Sequence, residues 1–347
     1  MEVDVICFSK NRAFQLSELL RSYFLLIDRF DDASTSGSVA LRFHVIYTAS
    51  PKHLASYRLL RDRYPQVEFL QESGFGEEGN GNIPDFKDGH FAAHLRYCLF
   101  LPPVMGEQYR RTRFVQFLVD DMLFFRHFPL CHWLHLLDRN QHIWCVHSSL
   151  HAGISHSHSA NADATPPIFV KHEPPTHSLF LQGTGTHDWD LPINLTGSIY
   201  RQTDMQKLWQ CMLDQQLPVC HPNRLEVSGN RAFARESSFS SQYPLCASAF
   251  VAHCSAITVN RVQEIYRNPV YDTLPTLSSV LTSSSPIAGR ELSFPREFRL
   301  QNVDDLLELL EKGVIFDLEA YAKSSFSSVH IGIFVLTSST DATNECF

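Results

Sequence analysis

The chain lacks the features by which several protein classes are recognised. Its nine cysteines include no C-x-x-C pair, so reduced, intracellular thiols are predicted rather than a disulfide framework. The polar turn after the first predicted strand has no Gly-rich fingerprint, so neither a P-loop nor a dinucleotide-binding fold is indicated. The sequence also has no internal repeat. An intracellular globular protein is therefore expected.

The chain also lacks a net positive charge and long apolar runs. The net charge is −8, so the chain has no overall basic field that would attract nucleic acid non-specifically. The first ten residues are too short and too acidic a stretch for a signal peptide. The densest apolar stretch, 123–137, contains Arg126 and several histidines, so it is not predicted to span a membrane. No membrane partner is expected.

What the sequence does contain is an alternation of short apolar strands and amphipathic helices. With 347 residues and 44% hydrophobic residues, the chain is long enough for one large α/β domain. Strand, helix, strand, helix, strand within the first 70 residues predicts a parallel sheet. The predicted strands are 3–8, 41–47, 67–70 and 114–119, and the predicted helices are 13–26, 51–64 and 91–100. The segment 151–177 has little periodicity and two Pro-Pro pairs, which predicts a flexible surface insertion.

The most informative stretch is the apolar strand that ends in Asp120 and Asp121. Its composition is typical of a strand buried on both faces. Two carboxylates are costly to bury, so they are expected just outside the sheet, where open α/β sheets bind ligands. Mg²⁺ and Mn²⁺ prefer carboxylate and phosphate oxygens. The pattern predicts a metal-bound phosphorylated substrate, with a helix or turn cap as the alternative.

A second polar turn follows the first strand. Ser9, Lys10, Asn11 and Arg12 lie between that strand and the helix 13–26. Backbone N–H groups at a helix start attract anions, and an arginine fork binds phosphate. The turn therefore predicts nucleotide binding, and the alternative for Arg12 is a surface residue at a helix start.

Seven sequence blocks occur in an order that resembles a known family. They are SKNR at 9–12, VDDM at 119–122, DW at 188–189, LTGSIYR at 195–201, PNRLE at 222–226, ITVNRVQ at 257–263 and FDLEAY at 316–321. Together they resemble the GT-A-fold glycosyltransferases found beside DNA-base hydroxylases, which include the base J glucosyltransferases. The resemblance covers most of residues 3–335. The carboxylate motif here is Asp-Asp-Met rather than Asp-x-Asp.

The resemblance implies a fold and a donor site. The fold is an α/β three-layer sandwich with a mainly parallel central sheet, formed by one domain, 1–347. Residues 1–125 would form the nucleotide-sugar half and 126–336 the acceptor half. The donor would be a UDP-sugar held with Mn²⁺ or Mg²⁺. The implied donor-site residues are Ser9, Asn11 and Arg12 on the nucleotide, Asp121 as direct metal ligand, Asp120 on ribose or metal-bound water, and His330 as third ligand, with a core histidine as the alternative for His330.

The resemblance also implies an acceptor site, and an inverting reaction is expected, with a retaining reaction as the alternative. One carboxylate must accept the proton of the acceptor hydroxyl. Glu226, Asp188 and Asp190 compete for this role, and Glu226 is the first choice because it lies near a predicted helix start. Trp189 would stack a sugar or a base, with a core aromatic as its alternative. Asn260 and Arg261 would line the acceptor side.

The most specific hypothesis is glucose transfer from UDP-glucose to hydroxymethyluracil in DNA, as in base J synthesis. It predicts a nuclear protein and local basic surfaces. Two arginine clusters are candidates for such surfaces, with ordinary solvated surface as the alternative: Arg58, Arg61 and Arg63, and Arg110, Arg111 and Arg113. The other hypotheses are transfer to a protein or glycan hydroxyl, and a non-catalytic GT-A-like binding module.

Overall fold

The computed structural model describes residues 1–28, 39–72, 89–102, 112–258, 260, 303–332 and 334–338. The strands are β1 (Glu2–Lys10), β2 (Ala40–Thr48), β3 (Val67–Gln71), β4 (Arg113–Val119), β5 (Met122–Phe124), β6 (Ile143–His151), β7 (His156–Ser157), β8 (Ala162–Asp163), β9 (Phe169–Glu173), β10 (His177–Leu181), β11 (Ser198–Arg201), β12 (Leu245–Ala249), β13 (Cys254–Ile257), β14 (Val314–Phe316), β15 (His330–Ile331) and β16 (Leu336–Ser338). The helices are α1 (Ala13–Leu26), α2 (Pro51–Arg63), α3 (Gly89–Phe100), α4 (Leu130–Arg139), α5 (Gln202–Asp214), α6 (Pro222–Arg235), α7 (Ser237–Gln242), α8 (Val303–Glu311) and α9 (Leu318–Ala322), with a 3-10 helix at His187–Asp190.

One nine-stranded sheet, in the order β3-β2-β1-β4-β11-β6-β12-β10-β9, organises the chain. The pairs β3/β2, β2/β1, β1/β4 and β6/β12 are parallel. Strand β11 pairs antiparallel with both β4 and β6, and β10 pairs antiparallel with both β12 and β9. Only β10 and β11 therefore run against the common direction. The predicted α/β fold with a mainly parallel central sheet is confirmed.

The sheet is buried on both faces, as the apolar composition of its strands predicts. Along β1, Val3, Val5 and Cys7 belong to one hydrophobic cluster, and Ile6 and Phe8 to the other. This is the two-residue alternation of a strand. Helices α1, α2, α4 and α8 pack on the first face, and α3, α5 and α6 on the second. The result is the three-layer arrangement that the resemblance implies.

A small second sheet, β15-β13-β5, starts directly after the two aspartates. Met122 of β5 pairs with Ala256 of β13, and Ala256 pairs in turn with His330 of β15. His330 therefore lies two strands away from the residue that follows Asp121, a backbone separation of roughly 10 Å.

The segment 151–177 is the clearest correction to the predicted secondary structure. It forms the strand pair β7/β8 and then β9, which is the outermost strand of the nine-stranded sheet beyond β10. It is therefore folded rather than an irregular surface insertion. Its sequence lacks hydrophobic periodicity because Val170, Lys171 and His172, which alternate between the two faces of β9, are all exposed. Across the described residues, no helix combines the length and apolarity needed to cross a membrane.

Candidate functional site

Asp120 and Asp121 form a two-residue turn between β4 and β5, at the carboxyl end of β4 as predicted. Backbone hydrogen bonds fix the turn from both sides. The Asp120 N–H donates to the Phe8 carbonyl at 3.0 Å, and the Ile257 N–H donates to the Asp121 carbonyl at 2.7 Å. The side chain of Asp120 is 4% exposed and that of Asp121 is 12% exposed. Two nearly buried carboxylates need nearby compensation.

Arg12 supplies that compensation. Its Nη1 donates to Asp120 Oδ1 and to Asp121 Oδ2, both at 2.9 Å. Its Nη2 donates to the carbonyl of Asn260 at 2.5 Å. Burial alone would lower the pKa of Arg12, but the two carboxylates outweigh it and hold the pKa above its usual value. Arg12 is thus a permanent cation between the aspartates, and two carboxylates against one guanidinium leave a net charge of −1.

The end of β1 and the turn that follows it complete the shell around Asp120. Asp120 Oδ2 accepts from Ser9 Oγ at 2.9 Å and from the Lys10 N–H at 3.1 Å. Burial raises the pKa of Asp120, the Asp121 charge adds to the rise, and Arg12 and Ser9 oppose it. The sequence reasoning placed Ser9 and Arg12 at the nucleotide. The structure places both side chains against the aspartates, and their contact with a nucleotide stays a prediction.

Tyr57 is a site residue that the sequence reasoning missed. Its hydroxyl lies 2.5 Å from Ser9 Oγ and accepts from the Arg12 N–H at 3.2 Å. Its ring stacks on Tyr47 with a centroid distance of 4.5 Å. Burial raises its pKa far above the usual tyrosine range, so the hydroxyl stays neutral. The only sequence signal was a tyrosine on the predicted buried face of α2. The same pattern is equally typical of a core aromatic.

Asn11 has a structural role in this turn. It adopts a left-handed backbone conformation with φ 54°, which asparagine tolerates better than most residues. Its Oδ1 accepts from the Ser50 N–H at 2.8 Å, and its own N–H donates to the Thr48 carbonyl. The Asn11 side chain therefore joins the turns after β1 and β2, and its predicted contact with a nucleotide stays a prediction.

The predicted metal ligands do not all come together. Asp120 and Asp121 are adjacent, but the described residues contain no compact three-residue donor group made of these two carboxylates and His330. The position of β15, two strands away from Met122, explains why. Among the described residues, Asp121 Oδ1 has no hydrogen-bond partner, while Oδ2 is held by Arg12. One free carboxylate oxygen fits Mg²⁺ or Mn²⁺, which bind through one or two carboxylates plus substrate phosphates.

Glu226 lies in the first half of α6, which begins at Pro222 after His221. Its Oε1 accepts from the Leu195 N–H at 3.3 Å. Burial raises the pKa of Glu226 to about 7, the Leu195 hydrogen bond opposes the rise, and the charge of Asp188 adds to it. The described residues include no cation in an ion pair with Glu226 or Asp188. Glu226 can therefore gain and lose a proton near neutral pH.

Two contacts bring Glu226 to the same sheet edge as the aspartates. From Leu195 the chain continues to Gly197, whose N–H donates to the Phe117 carbonyl of β4. Gly197 has φ +82°, and a Cβ there would lie 2.1 Å from Ser148 Oγ and 2.9 Å from Met122 Cε. Only glycine allows the segment to pass this close to the turn of Asp120 and Asp121.

The start of α6 also lies near the turn after β1. The pKa of His221 is lowered, by burial first and then by the charges of Arg224 and Lys10. Lys10 follows Ser9 in that turn. The two polar turns and the start of α6 thus surround one edge of the sheet.

Three further predicted acceptor-site residues, Trp189, Asp188 and Asp190, lie in different environments. Trp189 is 2% exposed, donates its indole N–H to the Ile154 carbonyl at 3.3 Å, and meets the rings of Phe169 and Phe180 edge-on. It is a core aromatic, which corrects its predicted role as a stacking surface. Asp188 is buried with Oδ2 unpartnered among the described residues, and Asp190 is exposed.

Asn260 belongs to the aspartate side of the site rather than to an acceptor surface. Its carbonyl accepts from Arg12, and its Nδ2 donates to Gln15 Oε1 of α1 at 3.1 Å. Its Nδ2 is therefore engaged with α1, while its Oδ1 has no partner among the described residues. Arg261 lies outside the described residues, so its role stays a prediction.

The described members of the two arginine clusters lie on separate elements, α2 and β4. On α2, Arg58 and Arg61 are exposed, and Arg63 donates to Ser17 Oγ. Arg113 begins β4, at the opposite end of that strand from Asp120, and pairs with Asp4 at 2.9 Å. The charge of Arg113 is thus neutralised at the far edge of the sheet. Arg110 and Arg111 lie outside the described residues.

Comparison with known proteins finds a similarity to a glycosyltransferase. No protein-family model matches it. It is 27% identical over 346 residues to the bifunctional glycosyltransferase pgtA of Dictyostelium discoideum, an alignment that covers 95% of this chain and 38% of the relative. The chain thus spans well under half the length of that relative.

Two solved structures show a weaker likeness to this chain. TarS 1–349 of S. aureus, in complex with UDP, has 14% identity and a TM-score of 0.34, over 73% of this chain and 58% of that one. The mannosyltransferase PcManGT of Pyrobaculum calidifontis, in complex with GDP-Man and Mn²⁺, has 10% identity and a TM-score of 0.31, over 68% and 70%.

Proposed function

We propose that this chain is a glycosyltransferase that moves a sugar from a nucleotide-sugar donor to an acceptor hydroxyl. One observation carries the proposal. Two carboxylate sites lie at one edge of the sheet, and they differ in whether a cation compensates their charge. The aspartate turn with Arg12 suits a donor diphosphate and a divalent cation. Glu226, with a pKa of about 7, suits the acceptance of a proton. The similarity to pgtA over 95% of the chain supports the same reaction class.

On the donor side, the chain's own groups bind and orient. The Asp121 Oδ1 oxygen faces no protein donor among the described residues and is our candidate metal ligand. A bound Mn²⁺ or Mg²⁺ supplies charge stabilisation for the departing diphosphate. Asp120, held by Ser9, Lys10 and Arg12, stays fixed as an acceptor for ribose or metal-bound water.

On the acceptor side, Glu226 takes the hydroxyl proton as the new glycosidic bond forms and the bond to the diphosphate breaks. An inverting transfer needs this base on the face opposite the leaving group. The Leu195 N–H holds one carboxylate oxygen of Glu226. The other oxygen is the proton acceptor in this proposal.

For the donor sugar and the acceptor, the resemblance of the sequence blocks supports UDP-glucose and hydroxymethyluracil in DNA, and with them a nuclear location. Two observations favour the alternative, a protein or glycan hydroxyl. Trp189 lies in the core, where it offers no surface to an extruded base. Arg113 is paired with Asp4 at the far end of β4. Both classes of acceptor are therefore tested in one experiment.

The experiment incubates the protein with a panel of nucleotide sugars, with Mn²⁺ or with chelator, and measures donor turnover. Acceptors are hydroxymethyluracil-containing duplex DNA, unmodified DNA of the same sequence, and a set of glycan and peptide hydroxyls. We expect Mn²⁺-dependent turnover that falls at least about a hundredfold in Asp121→Asn, because losing one carboxylate weakens the hold on the cation. A wild-type protein without donor turnover or donor binding would leave only a non-catalytic module.

The acceptor arms separate the finer proposals. Transfer to the modified DNA that declines steeply with salt supports the DNA acceptor, because bound phosphates release counterions. Transfer to a glycan or peptide hydroxyl, with none to modified DNA at any salt, refutes the DNA acceptor and leaves the glycosyltransferase proposal intact.

A further inference from the structure

Three soft ligand atoms converge inside the nine-stranded sheet, away from the aspartate turn. Cys145 and His147 are two residues apart on β6, so their side chains share a face of the strand. Cys246 lies on the neighbouring parallel strand β12. The two sulfurs and a ring nitrogen all lie within 4.8 Å of one another, and all three residues are buried.

The spacing of these atoms matches the edges of a metal-coordination tetrahedron. Zinc binds thiolate sulfur at about 2.3 Å and imidazole nitrogen at about 2.0–2.1 Å, so a tetrahedral site separates two sulfurs by about 3.8 Å and a sulfur from a nitrogen by about 3.5 Å. The Cys145 and Cys246 sulfurs are 3.7 Å apart. Cys145 Sγ and His147 Nε2 are 3.1 Å apart. Binding would require these side chains to move by only a few tenths of an ångström.

The histidine is held in the orientation that a ligand needs. His147 Nδ1 lies 2.7 Å from Ser198 Oγ on β11. When Nδ1 donates its proton there, Nε2 presents its lone pair to the two sulfurs. A ligating histidine usually has such an oxygen partner on its other nitrogen, which fixes the tautomer and the ring plane.

Charge and chemical softness favour zinc. Two thiolates and one Zn²⁺ sum to zero, so the buried site carries no net charge, which an apolar sheet interior requires. Thiolate and imidazole select Zn²⁺ or Cu⁺ over Mg²⁺ and Mn²⁺, whereas carboxylates do the reverse. Among the described residues no fourth His, Cys, Asp or Glu joins the group. The ion would have three protein ligands, as zinc does where water takes the fourth position.

We propose that Cys145, His147 and Cys246 hold a Zn²⁺ ion inside the sheet, a site distinct from the aspartate turn and independent of the proposed transferase activity. The ion would link β6 to β12 directly and to β11 through Ser198. Since β11 pairs with β4, this link supports the strand that ends in Asp120.

The first test measures metal content by mass spectrometry of the purified protein, before and after dialysis against Zn²⁺ and then against metal-free buffer. We expect about one zinc per chain that survives the second dialysis, and a Tm lower by about 5 °C or more once a strong chelator removes it. Cys246→Ala and His147→Ala should lose the zinc. Cys98→Ala, which removes another buried thiol, and Asp121→Asn, which alters the aspartate turn, should keep it.

A second measurement needs no variant and so does not depend on variant folding. Wild-type protein stripped of zinc and loaded with Co²⁺ should show the intense thiolate-to-cobalt absorption of a sulfur-ligated ion. The proposal is overturned by a wild-type protein that retains no zinc or cobalt, by copper in place of zinc in the purified protein, or by an intact mass that shows a Cys145–Cys246 disulfide. Unchanged zinc content in folded Cys246→Ala would overturn it equally.

Discussion

Two carboxylate pairs at one edge of the sheet differ in their charge compensation. Asp120 and Asp121 share the guanidinium of Arg12 at 2.9 Å. Glu226 and Asp188 share no cation among the described residues, and burial raises the pKa of Glu226 to about 7. Both pairs consist of carboxylates, but among the described residues only the first pair contacts an arginine. The first pair suits the binding of a cation and a diphosphate, and the second suits the movement of a proton.

Removing the shared cation should have the largest effect. Arg12→Ala removes the guanidinium that lies 2.9 Å from each aspartate and leaves two nearly buried carboxylates without a counter-ion. We expect the free energy of unfolding at pH 7 to fall by about 3–5 kcal/mol, the usual cost of breaking a buried pair from one side. Urea denaturation measures it. Arg58→Ala, on the exposed face of α2, should stay within about 0.5 kcal/mol of wild type. A similarly small change for Arg12→Ala would mean that the aspartates need no compensation.

Removing the proton acceptor should act on rate rather than on folding. Glu226→Gln keeps an oxygen for the Leu195 N–H but cannot take a proton. We expect kcat to fall by about 10²–10⁴, the usual contribution of a general base, with donor affinity little changed. In wild type, kcat/KM should rise with pH through about 7, because the base must be ionised. Glu319→Gln, at an exposed position of α9, is the matched control. Normal turnover by Glu226→Gln would assign the base to another residue.

The same substitution should change how stability depends on pH. The pKa of Glu226 in the folded state, about 7, lies above its ordinary value of 4.5. Its contribution to stability is therefore fully present below about pH 4.5 and is lost as the pH rises through about 7. The free energy of unfolding of Glu226→Gln relative to wild type should increase across this window. Denaturation curves for both proteins at pH 5 and pH 8 measure it, and equal differences at the two values would contradict the raised pKa.

The smallest effect, a shift of the pH profile, should come from Asp188, the partner of Glu226 in the pair without a cation. The charge of Asp188 is the minor cause of the raised pKa of Glu226, after burial. Asp188→Asn should therefore move the acidic limb of the kcat/KM profile to lower pH by less than about one unit, since burial remains. Asp190→Asn, at an exposed position two residues away, should leave the profile unchanged. A shift to higher pH in Asp188→Asn would contradict an electrostatic role.

Local pattern was enough to predict the sheet and the position of the aspartates. The apolar run before Asp120 predicts a buried strand, and the cost of burying two carboxylates places them at its end. The segment 151–177 was predicted wrongly because three consecutive residues of β9, 170–172, are exposed, so both faces of the strand lack an apolar pattern. Trp189 was ambiguous because a core aromatic and a stacking surface have the same composition.

The sequence by itself determined the layer order, the parallel core and the positions of the two polar turns, because these follow from periodicities of two and 3.6 residues. Only the tertiary structure decided which charges meet. Arg12 is 108 and 109 residues from the aspartates it joins, and Cys246 is 101 residues from Cys145. Ion pairing, the pKa of a buried carboxyl group and metal-ligand geometry depend on distances of a few ångströms in space. Chain spacing does not encode such distances until the strands are paired.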